Sequence, residues 1–219
     1  MTSIGLTDLF SDRIDPEAPE HFYPAFGGAT SKQIKGLVIN EGGQLKTIDA
    51  TWWFDCREQD GKLIVDNRRT TFNARNLNSP YWKAAIRHKR AIVVGTAIGE
   101  GKEIAGKKHS YFMESETPVL LGAVYRSFPN DLYSTAVITR DAHPRFSAYH
   151  DKAFPLLLPH DPEFLKLWLS DAPESHPAIA HLLENPHVFN RFKVTQVKTF
   201  KDAIPMGASE YLDPDEQIA

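Results

Sequence analysis

Apolar and polar residues alternate through residues 34–40 and again through 45–54, on either side of Glu41-Gly42-Gly43. A period of two turns one face of each segment toward a core, and the glycines suit a tight turn, so the two segments predict an antiparallel hairpin. Residues 91–98 begin with an almost unbroken apolar run, which predicts a buried strand. Residues 111–114 and 119–125 predict strands flanking a further turn, and residues 133–139 and 192–197 predict two more. Helical signals are fewer. Ser79-Pro80 predicts a helix reaching about His88, with serine as cap and proline at the first position, where its missing N–H costs nothing. Asp161-Pro162 predicts another, with Phe164, Leu165, Trp168 and Leu169 on its core side. Residues 7–14 predict a short helix, followed by an exposed acidic, proline-rich connector at 15–19. Strands in hairpins, with helices interspersed irregularly, lack the regular alternation of a parallel sheet. The predicted fold is therefore α+β, an antiparallel, barrel-like β core with peripheral helices.

Composition narrows the function classes. A chain of 219 residues is read as one domain spanning 1–219, large enough to bury a sizeable core. The net charge of −3 and the pI near 6.3 carry no general basic excess, so any nucleic-acid surface has to be local. The densest basic cluster is Arg87, His88, Lys89 and Arg90, joined by Arg68, Arg69 and Arg75 and by Lys107, Lys108 and His109. A solvated face explains such a cluster as readily as a binding groove. Cys56 is the one cysteine, which excludes an intramolecular disulfide or a cysteine metal site and favours a reducing compartment. No segment approaches the roughly 20 apolar residues that a membrane-crossing helix needs. The expectation is a cytoplasmic monomer without cofactor or membrane attachment.

Three familiar site patterns fail. Gly95, Gly101 and Lys102 resemble a phosphate loop, but the glycine spacing is one residue too long and Glu103 stands where the magnesium-binding hydroxyl belongs. The nine histidines include no i, i+4 pair with the accompanying glutamate of a hydrolytic zinc helix, and His176, His181 and His187 fall in a proline-punctuated stretch read as surface. No Gly-x-Ser-x-Gly elbow is present.

A looser constellation remains. Glu100 follows the apolar run at 91–94, where desolvation would raise its pKa toward a value useful for proton transfer; an exposed loop acid is the alternative. His150 precedes the apolar run at 154–158, where an imidazole can exchange a proton near neutrality or can simply be structural. Asn73 can orient a nucleophile through its amide, and Arg75 can grip a phosphate with its fork; a turn asparagine and a surface arginine are the plain alternatives.

In order and approximate spacing, these segments resemble the SOS response-associated peptidase (SRAP) family. Residues 51–54 (Thr-Trp-Trp-Phe) look like its tryptophan strand, 72–75 like its Asn-Ala-Arg motif, and 81–100 like its helix, strand and catalytic glutamate. Residues 134–150 look like the strand leading to its catalytic histidine, and 207–212 like its C-terminal strand. The resemblance implies recognition of an abasic site in single-stranded DNA, a covalent DNA–protein crosslink through a cysteine after the initiator methionine, and autocatalytic removal of residues ahead of that cysteine. Glu100 and His150 would move protons during aldehyde opening and imine formation, and Asn73 would position the N-terminus. Arg75, Arg90 and Lys152 would line a basic groove in which Trp52 or Trp53 stacks on bases.

Thr2 stands where the resemblance places the cysteine. An N-terminal cysteine closes a stable thiazolidine on an aldehyde, whereas a freed Thr2 would give an oxazolidine that hydrolyses much more readily. Cys56 is no substitute, because its nitrogen is in an amide. Aligning the family's first helix with residues 7–10 puts its cysteine upstream of Met1, an expectation tested by an in-frame Cys-Gly-Arg ahead of this start. Other departures are Asn76-Leu77 after Asn-Ala-Arg, Ile98-Gly99 before Glu100, Gly101 after it, and Lys152 in place of arginine. A non-catalytic single-stranded DNA-binding protein of the same fold is the competing reading.

Overall fold

The computed structural model describes residues 33–200 and 203–216. Thr2 and the helix predicted at 7–14 lie outside them. The described chain is mostly strand, with few helices. The hairpin forms as predicted: β1 (Gln33–Glu41) and β2 (Gln44–Thr51) pair antiparallel about Gly42 and Gly43, whose φ angles of 63° and 82° explain why residues without a Cβ stand there. A second hairpin, β3 (Cys56–Gln59) with β4 (Lys62–Val65), and the two-residue β5 (Asn73–Ala74) follow. Then come α1 (Pro80–His88), β6 (Arg90–Ile104), β7 (Lys107–Phe128) and β8 (Leu132–Arg140). After a 3-10 turn at Pro144–Phe146, the chain forms β9 (Phe154–Pro155), α2 (Pro162–Trp168), α3 (Pro177–Glu184), β10 (Phe192–Val197) and β11 (Glu210–Leu212).

The caps divide in an instructive way. Asp161 accepts the backbone N–H groups of Glu163 and Phe164, as its position predicts. Ser79 sits at the cap of α1 but makes no side-chain bond to the helix, so Pro80 and the burial of Trp82, Ala85 and Ile86 define that helix start instead. α3 lies in the stretch read as surface; Ile179, Leu182 and Leu183 follow a helical period and are buried against the sheet, a signal masked by the surrounding histidines and prolines.

The sheet order is β11-β10-β7-β6-β1-β2-β8-β5, with β9 on β8, and β8 also returns to pair with β7. The expected antiparallel barrel is corrected here to a mixed sheet. β5 runs parallel to β8, and the circuit β7-β6-β1-β2-β8 closes through one parallel residue pair, Thr51 with Ser134. One pair is too short a ladder to seal a true barrel. Helices α1, α2 and α3 cover one face of the sheet, where Ile92, Val94, Leu120 and Trp168 meet, while the opposite face packs Leu37, Ile39, Ala91, Val93 and Tyr125.

β6 and β7 form one long ribbon that turns at Ala105-Gly106 rather than at the turn predicted between residues 114 and 119. Residues 115–118 are instead a bulge, opposite Thr96, between the pairs Gly95–Val119 and Ala97–Glu114. The buried Asn190 amide holds this bulge by donating to Ser115 Oγ at 3.1 Å, Thr117 Oγ1 at 3.0 Å and the Pro118 carbonyl at 3.0 Å. The ribbon is thus split into a core half, which carries Arg90, and a distal half, which carries Glu100. Among the described residues no helix is long and apolar enough to cross a membrane.

Candidate functional site

Glu100 lies on the distal half of β6 opposite Tyr111 of β7. Alternation along the strand turns Gly99 and Gly101 to the other face. There Phe200 packs so closely on Gly99 that an added Cβ would come within 2.9 Å of its ring, so only glycine fits without a shift of that ring. Among the described residues β1 pairs with β6 only at Ala91 and Ile92, and the edge beside Glu100 meets another segment instead. That segment carries His150. Its approach is set by the 3-10 turn, where the Phe146 carbonyl accepts the N–H groups of both Tyr149 and His150, and by Phe146 and Tyr149, which are buried against Phe154, Met113 and Phe192.

The His150 Nδ1 lies 2.8 Å from the Gly101 carbonyl oxygen. A carbonyl only accepts, so Nδ1 carries the proton and Nε2 of the neutral ring is left to accept one. The Glu100 carboxylate is 3.5 Å from the same Nδ1, too far for a strong hydrogen bond but close enough for a direct charge interaction. Both side chains retain about a fifth of their exposure, 20% for Glu100 and 22% for His150. Burial pushes the Glu100 carboxyl up to about 7, and the imidazole opposes that shift only in part. A carboxyl half protonated at neutrality can give or take a proton at little cost. Of the two sequence readings for Glu100, a desolvated acid and an exposed loop acid, these surroundings favour the first, and the pair is a candidate acid–base centre. Tyr111, whose ring meets that of Tyr149 edge-on at 5.3 Å, adjoins Glu100 across the ribbon; sequence reading missed both tyrosines because the register of β7 was not legible.

The other predicted site residues scatter. Asn73 stands on β5, paired with Val137 of β8, and makes no hydrogen bond with Glu100 or His150. Arg75 is exposed, forms an ion pair with Asp141 at 3.2 Å, and borders an open hollow of about 310 Å³ with Asn76, Asn78 and Arg140. Lys152 is exposed just beyond His150. Trp52 is half-buried and donates its indole N–H to the Phe72 carbonyl at 2.8 Å. Trp53 is 8% exposed with its N–H on the Asp66 carbonyl, so it lacks the open ring face that base stacking needs.

Arg90 requires a correction. It is 4% exposed, and its guanidinium donates to five carbonyls: Trp168, Ile86, Arg87, Ser170 and Ala172. It ties α1 to the end of α2 and has no donor left for a phosphate. Cys56 is likewise buried, its thiol on the Trp53 carbonyl and pushed up to about 12 by burial, which makes it an inert packing residue. A further open hollow, about 600 Å³, is lined by Arg140, His143, Glu184, His187 and Asp215 and does not include Glu100 or His150. Asp215 there binds Arg145 and His143 and accepts the Val188 N–H, pinning the C-terminal segment to the 3-10 turn.

The family profile described as SOS response associated peptidase (SRAP) matches residues 6–200. The chain belongs to the SRAP family. Membership supports a DNA-damage-associated function, and Glu100 and His150 both fall within the matched region. Solved structures repeat the fold at low identity. A protein from Bordetella bronchiseptica is 18% identical with a TM-score of 0.61, covering 90% of this chain and 96% of its own. A phage-related protein of the same organism is 17% identical with a TM-score of 0.55, over 84% of this chain and 86% of its own. A protein from Bacteroides thetaiotaomicron is 19% identical with a TM-score of 0.54, over 74% and 73%. At these identities the likeness is one of fold. No curated protein matches the chain.

Proposed function

We propose that this SRAP protein recognises abasic sites in single-stranded DNA and that the Glu100–His150 pair moves protons at the opened sugar. The observation that carries the reading is the buried Glu100 carboxyl, raised to about 7 at 3.5 Å from an imidazole whose Nδ1 is already committed to Gly101. An abasic sugar interconverts between a closed hemiacetal and an open aldehyde. Opening takes a proton from the anomeric hydroxyl and returns one to the ring oxygen, work suited to an acid held beside a base. Nε2 of His150 accepts, and protonated Glu100 donates.

Arg75 and Lys152 are exposed cations that can follow the phosphate backbone, and Arg75 gives up little by leaving an exposed ion pair with Asp141. Trp52 is the indole with some ring exposed for stacking. Asn73 is assigned to positioning the N-terminus, and Thr2 carries a hydroxyl in place of the thiol that a thiazolidine needs. That substitution favours a second reading, a binder of the same fold that holds abasic or intact strands without covalent capture.

A denaturing gel after incubation with a single-stranded oligonucleotide bearing one abasic site, beside an intact strand, separates the two. Capture gives a shifted band that depends on the abasic site and is lost in Glu100→Ala and His150→Ala. Salt-sensitive binding equal for both strands, with no shifted band, sinks the acid–base reading and leaves the binder.

A further inference from the structure

Alternation along β6 sets Lys102 on the same face as Glu100, roughly 7 Å further along the strand, a spacing one sugar can bridge. The Lys102 ammonium donates to the carbonyl of Ser147, in the turn that delivers His150. His150 in turn bonds the carbonyl of Gly101, the residue between Glu100 and Lys102. Acid, imidazole and amine are therefore fastened along one seam, between the edge of β6 beside Glu100 and the 3-10 turn. Among the described residues Lys102 has no carboxylate within ion-pair distance; its partner is a neutral carbonyl. Among the described residues no salt link has to break before the amine turns to a ligand. Lys102 is part-exposed, whereas Cys56 is buried and Thr2 carries a hydroxyl.

Resting on the abasic-site reading above, we propose that Lys102 is the amine that captures the sugar aldehyde in this chain. Its neutral form attacks the aldehyde carbon, forming the N–C bond, and the carbonyl oxygen takes up a proton to become a hydroxyl. The positively charged nitrogen gives one proton to the Glu100 carboxylate left by ring opening. The carbinolamine then expels its hydroxyl as water with that proton while the nitrogen lone pair closes the C=N bond, and the remaining iminium proton returns to Glu100. The aldehyde oxygen and the two amine hydrogens leave together as one water, and no redox partner is required. The adduct is an imine, which water reverses. A lysine carries no thiol that could lock the adduct as a ring.

Borohydride trapping tests it. The full-length protein is incubated with the abasic single-stranded oligonucleotide, with and without sodium borohydride, and the adduct is mapped by peptide mass spectrometry. The expected result is a borohydride-dependent band carried by the peptide containing Lys102. Lys102→Arg, which keeps the charge but not the nucleophile, is expected to cut that band about tenfold or more while its thermal midpoint stays at the wild-type value. A band that maps to the N-terminal amine, or that persists undiminished in Lys102→Arg, overturns the assignment of Lys102 and leaves abasic recognition standing. No trapped band together with equal binding of abasic and intact strands overturns both.

Discussion

One strand of this molecule takes two ionisable groups largely out of water, and it treats them oppositely. At the core end of β6, Arg90 is 4% exposed and every guanidinium nitrogen is satisfied by backbone carbonyls, with the ring of Trp168 beneath it at 5.7 Å. Burial lowers its pKa, the nearby acids Glu174 and Asp171 work against that, and an arginine remains charged throughout. At the distal end, the one partner of Glu100 among the described residues is an imidazole at 3.5 Å, without a short hydrogen bond, and the carboxyl pKa rises to about 7. A fully compensated buried charge is a structural fastener. An under-compensated one is a titrating group, and strain of that kind concentrates at sites that do chemistry.

The sharpest way to break this comparison is Arg90→Ala. It leaves five carbonyls without their donor, and the expected cost is about 3–5 kcal/mol, read as a lowered denaturation midpoint. Arg90→Lys should recover little of it, because an ammonium cannot serve carbonyls spread across a planar fork. An Arg90→Ala protein with native stability and weakened DNA binding would reverse the assignment.

Glu100→Gln probes the other end. Because the folded pKa lies above the unfolded one, the contribution of Glu100 to stability is complete below about pH 4.5 and is lost as pH rises through about 7. Glutamine keeps the neutral state at every pH. The variant should match the wild type at pH 5 and exceed it by about 1–3 kcal/mol at pH 8, while losing abasic-site capture. Equal pH profiles of the thermal midpoint for the two proteins would show that Glu100 is not desolvated.

The smallest effects belong to the exposed cations. Arg75→Ala and Lys152→Ala should leave stability unchanged, weaken single-stranded DNA binding by about 1 kcal/mol each, and each reduce the salt slope by about 0.7. Fluorescence anisotropy over a salt series checks this. An unchanged slope in both variants would move the DNA path elsewhere on the surface.

Much of this could be read before any coordinates. The β1–β2 hairpin, α1, the Asp161 cap and β10 follow from local period and punctuation, and each involves residues close in sequence. Glu100 could be read from its neighbours either as a desolvated acid after the apolar run at 91–94 or as an exposed loop acid, and only its surroundings in the fold separate the two. What failed was everything that depends on distant partners. The basic run at residues 87–90 looked like a continuous surface, yet Arg90 points inward, because the carbonyls of α2 and the segment after it lie up to 82 residues away. The turn expected near residues 115–118 became a bulge because Asn190, 72 to 75 residues on, supplies the donors.

By itself, then, the amino-acid sequence determined the alternating faces of the strands, the helix starts at Pro80 and Asp161, the order of Asn73, Glu100 and His150, and the absence of a cysteine at position 2. Tertiary structure decided which charges are neutralised. Proximity across 49 residues joins His150 to Gly101 and sets its tautomer, at the edge of β6 beside Glu100. Periodicity is a property of neighbours along the chain, whereas the free energy of a buried charge depends on which dipoles the fold brings to it, and those come from anywhere in the sequence.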